Sequence, residues 1–156
     1  MSSTSSRRLA LALFLAVGSG CGTVNLPLSS SFLVKEKTRE ELRAITADEA
    51  RVLVREFHEV GGDLAFWLAA IKRNMVDGRG YVLLTEKPVH DGRGRAGSEL
   101  VFDTTVGGRP LRYLVAVFVT PDGDERDIRT VEYVADKGTF DLYVEDVRGG
   151  ISRMTR

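Results

Sequence analysis

The chain has 156 residues, 43% of them hydrophobic and 28% charged, a balance that fits one globular domain and excludes a disordered polymer. Its 22 basic and 22 acidic residues cancel, so it lacks the cationic excess that nucleic-acid binding calls for. The chain begins with a short polar stretch ending in Arg7-Arg8, followed by an unbroken apolar run over 9–17 and the small residues Gly18, Ser19 and Gly20. That run is far shorter than the ~20 residues of a spanning helix. A positive flank, a short apolar segment and small residues predict a removable secretory signal over 1–20.

Cys21, the only cysteine, stands directly after those small residues. The stretch resembles the lipobox of bacterial lipoproteins, with Gly18 where Leu usually stands three residues before the cysteine. The resemblance implies that the Cys21 thiol is acylated, that the signal is cut before it, and that the membrane is a partner through this anchor. Gly22 after the cysteine implies the outer membrane, with the domain facing the periplasm. An ordinary secreted protein with one spare thiol is the alternative. Several acyl chains, at ~0.8 kcal/mol per buried methylene, hold far more firmly than one. An acylated Cys21 forms no disulfide, so the domain must stand on its core alone. Residues 21–31 are Ser-rich and weakly patterned and read as a tether. Residues 32–156 are left as a single domain.

The segment 50–57, ARVLVREF, fits two elements. As a helix it has the capping box Thr46-x-x-Glu49 and apolar positions Ala50, Leu53, Val54 and Phe57. As a strand it is short, Val-rich and followed by Gly61-Gly62. A helix over about 63–77 is clearer. Asp63 can cap it, and Leu64, Trp67, Leu68, Ile71 and Met75 recur at helical spacing, with Gly78 as a stop. Trp67 on this stripe reads as a core anchor. The period then changes to two, and strands are predicted over 81–89, 98–106, 111–120 and 128–135. The Gly107-Gly108 and Pro121-Asp122-Gly123 turns predict antiparallel neighbours.

In the second of these strands Leu100, Phe102 and Val106 share one face, with Glu99, Asp103 and Thr105 opposite. In the third, Tyr113, Val115, Val117 and Val119 share one face and Leu114, Ala116 and Phe118 the other. A strand apolar on both faces needs cover on both, which predicts a central position. Phe140, Val144, Val147, Ile151 and Met154 predict a closing helix over about 139–154, with Thr139 as its cap. Gly149-Gly150 within it marks either the helix's end or a close packing contact. The whole reads as α+β: an antiparallel sheet of four to five strands packed by two helices.

The order of these segments (ARVLVREF, a helix with Phe66-Trp67, RGYVLL, AGSELVFDTTVGG, RYLVAVFVT, a closing amphipathic helix) resembles the PsbP/DcrB-like α/β/α sandwich. That resemblance implies a strand for 50–57 and transfers no functional residue. A cystatin-like sheet with one helix is the alternative fold.

The motifs offer little chemistry. Gly92-Arg93-Gly94-Arg95-Ala96-Gly97 satisfies the dinucleotide fingerprint in letters, but a strand pattern follows where the phosphate-binding helix should start. His58-Glu59 begins a zinc motif whose second histidine is replaced by Gly62. Ser98 lacks the nucleophile elbow, and only loop proximity joins it to His90. No catalytic residue, metal site or cofactor is expected. His90, Arg93 and Arg95 are the candidate loop for an anionic envelope component or a partner protein. The expected function is therefore that of a non-catalytic, lipid-anchored envelope module that binds another envelope component. A periplasmic carrier of a small apolar ligand or lipid is the alternative, and a hydrolase comes last.

Overall fold

The computed structural model describes residues 23–122 and 125–155. Two short strands, β1 (Leu33–Lys37) and β2 (Glu41–Ile45), form a hairpin that leads into β3 (Arg51–Val60). The segment 50–57 is thus strand, as the family resemblance implies. Thr46 caps no helix: its hydroxyl accepts the Ala50 N–H at 3.1 Å inside the β2–β3 turn. Helix α1 (Leu64–Lys72) runs on into a π-helical turn, Arg73–Gly78. The chain then reaches the far edge of the sheet and returns through β4 (Val82–His90), β5 (Ala96–Val106), β6 (Arg109–Asp122) and β7 (Glu125–Asp136) before α2 (Lys137–Arg153).

All neighbours pair antiparallel in the order β1-β2-β3-β7-β6-β5-β4. The sheet therefore has seven strands rather than four to five, because the β1–β2 hairpin escapes the sequence pattern. β7 is the middle strand, and β6 lies beside it, inside the sheet and covered on both faces.

Alternation along β6 divides the core. Leu114, Ala116 and Phe118 join a cluster under α2, built with Phe140, Val144, Val147, Ile151 and Met154. Val115 and Val117 join Leu100, Phe102 and Ile128 on the opposite face, under α1. Helices on both faces rule out the cystatin-like alternative. Fully burying a side chain of this size contributes ~1.5–3 kcal/mol, so the α2 face is the main source of stability.

Residues 24–31, expected within a tether, are part of that face, together with Phe32. Val24, Leu26 and Phe32 are buried, and the Ser29 N–H donates to the Asp146 carboxylate of α2 at 3.2 Å. Their passage over α2 also explains the second of its paired glycines. A Cβ on Gly150 would stand 2.8 Å from the Pro27 carbonyl, so the glycine lets two backbones meet and does not end the helix. The helix starts two residues before Thr139. Asp136 is its N-cap but makes no side-chain bond there, while the Tyr133 hydroxyl donates to the Phe140 carbonyl at 3.1 Å. Glu99, on the polar side of its strand, is buried beneath α2 as well. The Arg148 guanidinium at 2.7 Å and the Lys87 ammonium at 3.3 Å compensate its charge.

Candidate ligand cleft

Helix α1 is fixed at its ends. The Asp63 carboxylate accepts the Phe66 N–H at 2.8 Å, as its capping role predicts, and the Trp67 indole N–H donates to the Gly61 carbonyl at 2.9 Å. At the other end the Tyr81 N–H donates to the Met75 carbonyl at 2.9 Å, and Lys72 pairs with Glu86 of β4 at 2.9 Å. The apolar stripe Leu64, Trp67, Leu68, Ile71 and Met75 faces the sheet, yet no residue of α1 or the π-turn is fully buried. The helix sits over β6 and is tied to β4 through Lys72, and its stripe leaves part of the sheet beside β3 and β7 uncovered.

A cleft of ≈ 340 Å³ opens on that side. Its roof is Trp67, Ile71 and Met75, its floor is Val115, Val117 and Ile128, and Phe57 and Val60 of β3 close one flank. The volume is at the lower end of the ~300–1,000 Å³ typical of small-molecule sites. Trp67 thus belongs both to the core, as its place on the stripe predicts, and to the cleft wall.

One side of the cleft is polar. Arg55 lies across from Thr130 in the β3–β7 ladder, and its guanidinium meets the Glu132 carboxylate at 2.5 Å. The Tyr113 hydroxyl donates to the other Glu132 oxygen. Burial, and then the neighbouring carboxylate, pushes the Tyr113 phenol well above its ordinary 10.0, so it keeps its proton. The hydrogen bond to Glu132 raises Arg55 further. The triad is a closed, neutral network with no nucleophile in it. Arg55 Nε and Thr130 Oγ1 are buried without a hydrogen-bond partner, so the wall is under-satisfied as well as under-filled. The arrangement can hold an apolar or amphipathic molecule.

The residues singled out by the sequence lie elsewhere. Cys21 falls outside the described residues. His90 ends β4 and is exposed, as is Arg93. Arg95 folds back onto Asp91, with Nε 2.5 Å from a carboxylate oxygen, and also donates to Thr120 Oγ1 at 3.2 Å. Burial works to raise the Asp91 pKa. The backbone N–H groups of Arg95 and Arg93 and the Arg95 guanidinium outweigh it, so the carboxyl lies below its ordinary 3.8. The three loop residues therefore do not form one open cationic surface.

Of the fingerprint glycines, Gly92 and Gly97 serve packing and Gly94 serves the turn, with φ +76° in open space. The Gly92 N–H donates to the Met154 carbonyl at 2.9 Å, and a Cβ on Gly97 would stand 2.4 Å from the Val117 carbonyl. His58 pairs with Asp127 at 3.0 Å, and the Ser98 hydroxyl donates to the Lys87 carbonyl at 3.3 Å. Among the described residues no group of three His, Cys, Asp or Glu is placed to hold a metal. The sequence did carry one signal for the cleft: Arg55 and Glu132 put charges within apolar alternation, where an inward-facing strand position normally carries none.

The seven-stranded sheet between two helical layers is the PsbP-like α/β/α sandwich. In structure the chain is similar to LpqN, involved in cell envelope biogenesis of Mycobacterium tuberculosis. The TM-score is 0.64 and the identity 14%, over 87% of this chain and 84% of LpqN. It is also similar to the Ran-binding protein Mog1p of Saccharomyces cerevisiae, at TM-score 0.51 and 11% identity over 78% of this chain and 77% of Mog1p. No protein-family model and no curated protein matches the sequence.

Proposed function

We propose that this protein is a non-catalytic accessory module of the cell envelope, anchored by lipid on Cys21, that carries a small apolar or amphipathic molecule beneath α1. The cleft carries the reading: an amphipathic helix held off its own sheet leaves apolar surface on both sides of a gap. A guest there gains the burial that the helix forgoes, at ~25 cal/mol per Å². The likeness of fold to LpqN, a protein of envelope biogenesis, supports the placement. The cleft favours the carrier over a module that only docks a partner protein.

Native mass spectrometry of the purified protein tests the carrier role. The wild type is expected to retain a lipid-sized mass, and Met75→Trp, which fills the cleft, is expected to lose it while keeping its thermal transition. An empty wild type that instead crosslinks to an envelope protein supports docking and overturns the carrier. In the same cells Cys21→Ser is expected to leave the precursor unprocessed. Normal maturation of that variant overturns the anchor.

A further inference from the structure

The sheet face that carries the cleft extends past α1 toward β1 and β2, and there it bears a second groove of ≈ 300 Å³. Leu53, Ile45 and Val134 line it, and no helix of the described residues covers it. The cleft and the groove share Tyr113 and Glu132, so the two spaces meet at the triad. Either volume alone is small for a lipid, whereas the two together fall well inside the range of ligand sites.

Among the described residues, unpaired cations are more numerous on the groove than on the cleft. The rim of the groove bears Lys35, Arg43 and Arg51. Glu41 and Glu36 take up Arg43, the latter at 3.5 Å. Lys35 and Arg51 have no carboxylate partner among the described residues and are exposed. Glu132 is the one acid among the described lining residues of either space, and Arg55 already compensates it. The groove rim thus bears two unpaired cations, whereas the cleft bears one, Arg79, beside the polar Asn74 and otherwise apolar residues between Trp67 and Ile128, so a negative head fits best at the groove and an acyl chain under α1.

We propose that cleft and groove form one continuous seat for a single-chain anionic amphiphile, its acyl chain under α1 and its head beside Lys35 and Arg51. This rests on the carrier reading above and adds the charge and direction of the guest.

Trp67 is the only tryptophan of the chain and lines the cleft, so its emission reports occupancy. The full chain with Cys21→Ser, free of acyl groups, is titrated with lysophosphatidylglycerol, oleate and the uncharged monooleoylglycerol. At least one anionic probe is expected to bind roughly tenfold more tightly than monooleoylglycerol. Preference for the first assigns a phosphate head and preference for the second a carboxylate. Lys35→Glu/Arg51→Glu is expected to erase the preference while monooleoylglycerol binding persists. Equal binding of charged and uncharged probes, or a preference that survives the double reversal, overturns the proposal and leaves the carrier reading standing. No response of Trp67 to any probe overturns both.

Discussion

Beneath α2 five helical residues are buried, Phe140, Val144, Val147, Gly150 and Ile151, whereas beneath α1 none is. Both helices carry apolar residues at three- and four-residue spacing, and both pack on the same sheet, often on neighbouring residues of one strand. The difference lies in what completes each face. α2 has 17 residues and is joined by the buried segment around Val24 and Leu26, so its side of the sheet is sealed. α1 has nine residues and is tied at its ends, and its stripe covers only part of the surface opposite. One face uses its apolar surface within the fold; the other leaves part of it unburied.

The largest test of this contrast is Phe140→Ala on the sealed face, expected to cost ~3–5 kcal/mol as a cavity that packed neighbours cannot refill. Urea unfolding reads it, and a loss no greater than that of an α1 variant would abolish the distinction. Ile71→Ala on the open face is expected to cost only about 1–2 kcal/mol, since that side chain is already half-exposed. It should nonetheless weaken ligand retention, an effect that Phe140→Ala lacks at equal folded fraction.

The smallest effect concerns Asp91, at the polar end of the sealed face. Its pKa is lowered on folding, so its contribution is present above the ordinary 3.8 and is lost as pH falls through the lower folded value. Asp91→Asn should therefore melt earlier than wild type at neutral pH, with the gap closing in acid. A gap that stays constant with pH would show that the carboxylate's charge is not what matters there.

Much of this contrast is legible in the sequence, though not its decisive part. The two-faced pattern of 111–120 requires helices on both sides, and the spacing from Leu64 to Met75 identifies the inward side of α1. How far a helix stands from its sheet is a tertiary distance that periodicity does not encode, so the cleft stays invisible. The β1–β2 hairpin is missed for another reason. LVKEK, the edge strand, is exposed at every position and shows no alternation, and ELRAI alternates over only five residues, burying Leu42 and Ala44, too short a run to stand out. The stretch 24–31 looks like a tether because few apolar residues mark it, yet two of them, Val24 and Leu26, are enough to seat it in the core. Arg95 looks like an open cation because its partner Asp91 lies four residues away in a turn whose closure depends on glycine geometry.

The burial of Val24 bears on how the domain meets a bilayer. Only Gly22 and Thr23 separate Cys21 from that fixed residue, so an acyl anchor there has a leash of about 10 Å at full stretch. The Val24 N–H donates to the Arg39 carbonyl between β1 and β2, so the anchor proposed on Cys21 would berth that hairpin beside the lipid headgroups. A molecule moored this closely would not swivel freely, and whatever it exchanged with the membrane would pass at nearly constant height and heading.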